Sequence, residues 1–206
     1  MALLTLTEFL TLDGVVQGPG APDEDRDGGF EHGGWLVPYA DEDLGRFVDE
    51  VFGAATGFLL GRRTYQIFAA HWPRVTDEDD PVASRLNTLP KYVASRTLEK
   101  AEWHNSTLLK GDVAEEVAAL KDRLDGEVQI HGSGNLARSL MTHGLIDVYR
   151  LLVHPVVLGG GKRLFADGTV PTALELTDSR TTGAGVAIHT YRPAGRPRYG
   201  TFALEE

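Results

Sequence analysis

Three short turns carry the residue types that meet phosphate groups. Gly61-Arg62-Arg63-Thr64 supplies a glycine for close approach, two guanidinium forks and a hydroxyl at the start of a helix-like segment. Ser95-Arg96 again pairs a hydroxyl with a guanidinium, and Gly132-Ser133-Gly134-Asn135 opens a helix-like segment from Leu136 to His143. Each turn follows a short apolar run, at 58–60, 92–94 and 128–130. Strand, turn and helix in that order aim backbone N–H groups and a helix dipole at an anion. Singly the turns are weak. The first could be a glycine bend with solvated arginines, and the second is a common surface dipeptide. The third lacks the spacing of both the dinucleotide fingerprint and the P-loop. What they share is their position at strand ends, and together they point to a nucleotide cofactor.

Other chemistry is sparse. His131 ends an apolar run and either faces a substrate or is a hydrogen-bonded histidine at a strand end. His154 and His189 lie in strand-like runs and read as structural. His32, His71, His104 and His143 show no metal-ligand spacing. Trp35, Trp72 and Trp103 read as packing residues, with Trp35 also able to wall a planar substrate. The run Asp77, Glu78, Asp79 and Asp80 reads as a solvated loop without calcium-loop spacing.

The elements that must hold these turns alternate in type. Leu3 to Leu12 reads as a strand, and Asp41 to Ala55 has Leu44, Phe47, Val48, Val51 and Phe52 at helical spacing. A helix runs from the Gly61 turn to about Ala70, and Asp112 can cap a helix carrying Val113, Val117, Leu120 and Leu124. Val148 to Leu158 reads as one long apolar strand ending in Gly159-Gly160-Gly161. Further strands are expected at 173–176 and 186–191, with a turn at 182–185. Repeated strand–helix units imply an α/β fold with a mostly parallel sheet, helices on both faces and an antiparallel C-terminal edge. Residues 13–40 form a long loop rich in glycine and acids, either a lid or a passive insertion. The tail from Pro193 has few anchors.

Composition sets the limits. A chain of 206 residues with 42% hydrophobic and 24% charged content fits one domain with a full core. The absence of cysteine removes disulfides and thiolate chemistry and fits the reducing cytoplasm. A formal net charge of -10 argues against general nucleic-acid binding. No apolar run approaches the roughly 18 residues of a membrane span.

These motifs, in this order, resemble the dihydrofolate-reductase-like superfamily, in particular the branch containing the reductase domain of the riboflavin-biosynthesis deaminase-reductase. The resemblance rests on Leu12-Asp13-Gly14, Gly61-Arg62-Arg63-Thr64-Tyr65, Ser95-Arg96-Thr97 and Gly132-Ser133-Gly134-Asn135-Leu136. It continues through Leu145-Ile146-Asp147 and Pro155-Val156-Val157-Leu158-Gly159-Gly160-Gly161 to Leu164-Phe165. It implies a single three-layer domain of that fold with NADPH as hydride donor. It places Arg62, Arg63 and Thr64 at the cofactor phosphates, and Ser95 and Arg96 at the adenosine 2′-phosphate. Gly132 to Leu136 would cradle the pyrophosphate. Asp13, Gly14 and Val15 would lie near the nicotinamide and the substrate. Trp35, His131 and Gly159 are the candidate substrate-pocket residues.

The sequence departs from both branches. Riboflavin reductases carry a glutamate and two glycines where this chain has His131-Gly132-Ser133. No deaminase zinc signature is present. Folate reductases have a tryptophan before the first helix and an acid within it; Trp35 and Asp43 fall near those places. The expected activity is reduction of a small heterocycle, pterin-like or pyrimidine-like, with Asp13 and then Asp43 as candidate proton donors. A non-catalytic nucleotide-binding protein of the same fold is the alternative. The resemblance also implies a homodimer.

Overall fold

The computed structural model describes residues 1–77 and 79–203, so Glu78 of the acidic run and the last three residues of the tail lie outside the described residues. The strands are β1 (Leu3–Thr11), β2 (Ala55–Gly61), β3 (Lys91–Ala94), β4 (Ser106–Leu109), β5 (Glu127–His131), β6 (Val148–His154), β7 (Leu174–Thr181) and β8 (Ala187–Pro193). They form one sheet in the order β4-β3-β2-β5-β1-β6-β8-β7. Pairing is parallel from β4 to β6. It turns antiparallel where β8 joins β6 and β7 joins β8. The helices are α1 (Glu42–Ala54), α2 (Arg62–His71), α3 (Pro81–Thr88), α4 (Val113–Arg123) and α5 (Gly134–Thr142).

The period of two along each strand divides the core between two faces. Leu59, Val128 and Ile130 pack with Leu4, Leu6 and Leu10 of β1, under Val117 of α4 and Leu136, Ala137 and Leu140 of α5. Phe58, Leu60 and Val93 point the other way, against Phe52 of α1, Tyr65 of α2 and Leu86 of α3. The remainder of α1 (Leu44, Phe47 and Val51) covers Leu152 and Ile188 of β6 and β8. This is the expected arrangement, with helices on both faces and an antiparallel edge.

Three local expectations need correction. The apolar run 148–158 is not one strand, because β6 stops at His154. Pro155 has no N–H for a ladder, Val156 N–H donates back to His154 O at 2.8 Å, and the chain turns away. β6 lies inside the sheet between β1 and β8. Second, β4 and α3 add to the expected elements. Asp80, read as part of a solvated acidic loop, caps α3 by accepting from Val82 and Ala83 N–H at 2.9 Å each, with Pro81 at the first helical position. Third, the 13–40 segment is built as a packed loop. Val15, Phe30 and Trp35 form a small core of their own. Trp35 Nε1–H donates to Gln17 O at 2.8 Å, and Gly34 N–H reaches Gly18 O at 2.8 Å. Trp35 is therefore at the centre of the loop's packing.

Among the described residues, no helix is long and apolar enough to cross a membrane, and no cluster of three or more His, Asp or Glu is placed to hold a metal.

Candidate functional site

A cavity of about 980 Å³ opens where β2, β3 and β5 end. The parallel strands deliver all three sequence-predicted turns to its wall. Gly61, Arg62, Arg63 and Thr64 come from the start of α2, and Ser95 and Arg96 from the end of β3. His131 with Gly132, Ser133, Gly134, Asn135 and Leu136 comes from the end of β5 and the start of α5.

Helix capping distinguishes this region from the rest of the molecule. The starts of α1, α3 and α4 are each closed by an aspartate, Asp41, Asp80 and Asp112. The starts of α2 and α5 have no side-chain cap among the described residues, and both face the cavity. Their first-turn N–H groups and positive dipole ends are left for an anion. The two turns are also tied together. Gly61 N–H donates to Ser133 Oγ at 3.0 Å, and Ser133 N–H donates to Thr64 Oγ1 at 3.1 Å. Ser133 adopts φ 62, a left-handed conformation for a non-glycine residue, which turns the chain sharply into α5. The hydroxyls of Thr64 and Ser133 thus shape the cradle.

The arginines divide by partner. Arg96 is exposed and makes no hydrogen bond or ion pair among the described residues, and Arg62 donates to Thr97 Oγ1 at 3.1 Å. Ser95 Oγ accepts from Leu98 N–H at 3.0 Å and holds the turn that presents Arg96. Arg63 is pulled the other way, with its guanidinium 2.7 Å from Asp25 of the long loop. Lys162 joins the same cluster, 2.9 Å from Asp25 and 2.8 Å from Asp27. Burial pushes the Asp25 carboxyl up, but the Lys162 hydrogen bond and the charges of Lys162 and Arg63 more than offset it, leaving it below its ordinary value. Arg138 of α5, unmarked in the sequence, also lines the cavity and bonds Asn135 and Arg163 O.

The cavity's other lobe is apolar. Val48 and Phe52 of α1, Ile67 and Phe68 of α2, Trp72 just after α2 and Val82 of α3 wall it. Trp72, expected only to pack, is part of this wall. His131 closes one side; it stacks on Phe52 at a centroid distance of 4.3 Å, and its Nε2 lies 2.9 Å from Gln129 Oε1. Burial, with Arg150 nearby, pushes the imidazole down to about 3, so at neutral pH it is uncharged. His131 is thus a hydrogen-bonded histidine at a strand end that also lines the cavity.

Six expected site residues do not line this cavity: Asp13, Gly14, Val15, Trp35, Asp43 and Gly159. Asp13 anchors the glycine block. Its carboxylate accepts from Thr11 Oγ1 at 2.6 Å, Leu158 N–H at 3.2 Å and Gly159 N–H at 2.9 Å, and pairs with Arg163 at 3.2 Å. The Thr11 hydroxyl and these backbone donors hold it down to about 2, the opposite of a proton donor's need. Gly14 and Val15 are occupied by backbone pairing to Leu164 and Thr11, so Val16 and Gln17 form the wall instead. Asp43 is exposed and accepts from Gly183 N–H at 3.0 Å, tying α1 to the β7–β8 turn. Gly159 is engaged by Asp13.

Four acids line the cavity: Asp25 and Asp27 are ion-paired with Lys162, Asp112 caps α4, and the fourth is Glu8. Glu8, in the middle of β1, is 2% exposed, and its Oε1 has no hydrogen-bond partner among the described residues. Burial pushes its carboxyl from 4.5 up to about 8. The sequence carried a signal for it: Leu4, Leu6, Glu8 and Leu10 occupy one face of one strand, and an acid interrupts that apolar row.

A mixed parallel sheet with paired helix termini and arginines at its strand ends defines a dihydrofolate-reductase-like fold. The chain belongs to the RibD C-terminal domain family, which it matches over residues 2–188. Among curated proteins it is 29% identical over 184 residues to the uncharacterized protein YyaP of Bacillus subtilis (strain 168), covering 88% of this chain and 90% of that one. Among solved structures it is similar to a putative riboflavin biosynthesis protein from Shewanella sp. PV-4, with TM-score 0.69 and 22% identity, covering 94% of this chain and 99% of the other. It is also similar to dihydrofolate reductase from Enterococcus faecalis complexed with NADP(H), with TM-score 0.58 and 17% identity, covering 93% and 96%. Membership of this family supports an oxidoreductase.

Proposed function

We propose that this protein is an NADPH-dependent reductase of a small heterocyclic substrate, pterin-like or pyrimidine-like. The observation that carries the reading is the pair of uncapped helix starts, α2 and α5, laced together by Gly61, Ser133 and Thr64 over one cavity. A cradle of free N–H groups with Arg62 and Arg138 beside it fits a pyrophosphate. Arg96, without a partner among the described residues and presented by the Ser95 turn, fits a further phosphate of the kind that distinguishes NADPH from NADH. Gly132 has φ +55, and a Cβ there would stand 3.5 Å from Thr64 Oγ1, so a side chain would begin to fill the cradle. When bound, reduced nicotinamide supplies a hydride. The chain's own groups position the phosphates, and the wall of Val48, Phe52, Phe68 and Trp72 keeps water from a flat ring.

Calorimetric titration with NADPH and NADH tests the cofactor. NADPH should bind more tightly, and Arg96→Ala should weaken it by roughly 1–3 kcal/mol, the scale of a charge-assisted hydrogen bond, while leaving NADH nearly unchanged. Equal affinities would remove the 2′-phosphate assignment. Dihydrofolate, pterins and ribityl-pyrimidines are then screened by loss of NADPH absorbance. The alternative, an NADPH-binding protein without turnover, draws support from Asp13 and Asp43, which both turn away from the cavity. It gains ground if NADPH binds and no compound in the screen is reduced.

A further inference from the structure

We propose that the Glu8 carboxyl is the proton donor of this cavity, delivering its hydrogen to the nitrogen or oxygen of the C=N or C=O that is reduced. This rests on the NADPH-dependent reading above and assigns the acid that reading lacks.

The fold gives no structural reason for an acid at this position. Glu8 sits on the central strand beside Leu151 of β6 in register, on the face where Leu4, Leu6 and Leu10 build the main core. A leucine there would continue the row. An unpartnered buried polar group costs about 1–3 kcal/mol, more for a charge. For its partly buried carboxylates the chain avoids that cost. Glu127 is bracketed by Arg150 at 2.7 Å, and Asp147 by Lys121 at 2.7 Å. The other buried side-chain atoms without a partner among the described residues are two hydroxyls, on Thr7 and Ser106, and the His154 imidazole nitrogen. Glu8 is thus the one carboxyl in that group, and it lies on the cavity wall.

The surrounding charges leave it alone: Arg62 and Arg63 of α2, Arg96 after β3 and Arg138 of α5 share the cavity wall, and none of them shifts the Glu8 carboxyl. From β5 comes His131, uncharged and engaged by Gln129. From the long loop come Asp25 and Asp27, both held by Lys162. From the 159–163 turn comes Arg163, paired with Asp13. Only burial acts on the Glu8 carboxyl, and it favours the protonated form at neutral pH.

The chemistry balances. A hydride, with its electron pair, passes from the reduced nicotinamide to the electrophilic carbon, and the π pair moves onto nitrogen or oxygen. Glu8 O–H breaks, and its proton forms the new N–H or O–H bond. The substrate is reduced by two electrons and the nicotinamide oxidised. Glu8 is left as a carboxylate when the oxidised ring carries positive charge, and it regains a proton from water as products leave.

Cofactor binding tests this without a known substrate. Titration calorimetry at pH 7.5 in two buffers of different ionisation enthalpy counts protons exchanged when NADP⁺ or NADPH binds. A cationic ring brought to this cavity should expel the Glu8 proton, so wild type should release up to about one proton with NADP⁺ and clearly fewer with NADPH. Glu8→Gln should release none with either and keep its affinity for NADPH. Glu8→Leu, which completes the leucine row, serves as a second variant if Gln disturbs folding. Equal proton counts in wild type and both variants would overturn the role of Glu8 while leaving cofactor binding intact. Failure of wild type to bind either cofactor would overturn the NADPH reading, and this role with it.

Discussion

Arg63 of α2 reaches across to Asp25 of the 13–40 loop, with 2.7 Å between guanidinium and carboxylate. A side chain whose place in the motif suggested phosphate binding is held by the protein's own acid. Arg63 is half exposed, so the pair itself contributes no more than about 1 kcal/mol. Its effect is positional, because Asp25 also binds Lys162 and accepts from Gln17 at 3.1 Å. Arg63→Ala should therefore loosen the loop, speeding amide hydrogen exchange over residues 17–30. It should weaken NADPH binding less than Arg96→Ala does. Equal losses from the two variants would mean that Arg63 leaves Asp25 for a phosphate.

Asp13 should behave as an anchor. An asparagine at this position keeps one acceptor oxygen but cannot receive Thr11, Leu158, Gly159 and Arg163 together. Asp13→Asn should cost roughly 1–3 kcal/mol in denaturant unfolding and leave the proton count on NADP⁺ binding unchanged. A loss of that proton release would return Asp13 to the acid–base role.

The architecture was legible where local pattern and tertiary packing agreed. The apolar runs of β1, β2 and β5, the helical spacing of α1 and the Asp112 cap led to the right elements, and the three strand-end turns did meet at one cavity. The misreadings have identifiable causes. β4 is four residues long, too short to show a period. Asp80-Pro81 is a helix start that neighbouring acids hide. Asp13 and Asp43 looked available because a sequence does not reveal the backbone donors that occupy them. Glu8 left only a faint trace in the sequence, an acid interrupting the row of Leu4, Leu6 and Leu10, and its burial without a partner turns that trace into a site.

Stability should respond to pH through Glu8 and His131 with opposite signs. The His131 imidazole is pushed down from 6.5 to about 3, so the folded state binds fewer protons there and stability is lost as pH falls through that window. The Glu8 carboxyl is pushed up from 4.5 to about 8, so stability is lost as pH rises through that window. Above 6.5 Glu8 acts, opposed towards pH 8 by Lys91, whose ammonium burial pushes down from 10.5 to about 8. Urea unfolding should thus show wild type weakening from pH 6.5 upwards and levelling off near pH 8. Glu8→Gln should flatten that segment and gain on the order of 1–3 kcal/mol at its upper end. An unchanged slope in the variant would mean that Glu8 is ionised in the folded protein.

The family resemblance implies a homodimer, and the sheet leaves β7 as one outer edge, exposed along most of its length with Leu176 uncovered. Sedimentation at micromolar concentration should give a dimer, and Leu176→Lys should shift it towards monomer. A monomer for wild type would refute the expectation. A dimer indifferent to Leu176 would place the contact elsewhere.

The glycine block 159–161 permits a sharper test of what holds the loop. A Cβ at Gly160 would meet nothing within 4 Å, and its φ is ordinary, so Gly160→Ala should stay within about 0.5 kcal/mol of wild type. Gly161 has φ +123, beyond the left-handed region that other residues tolerate. A Cβ there would lie 2.7 Å from Val15 and 2.9 Å from Phe30, two members of the loop's own core. Gly161→Ala must therefore distort its backbone and push that core apart, at a cost of roughly 2–4 kcal/mol. Because Lys162 follows directly, the same change should displace its ammonium from Asp25 and Asp27, currently 2.9 and 2.8 Å away. Hydrogen exchange over residues 17–36 should then accelerate in Gly161→Ala and stay at the wild-type rate in Gly160→Ala. Equal behaviour of the two variants would show that the loop is held by its internal hydrogen bonds rather than by its seat on residue 161.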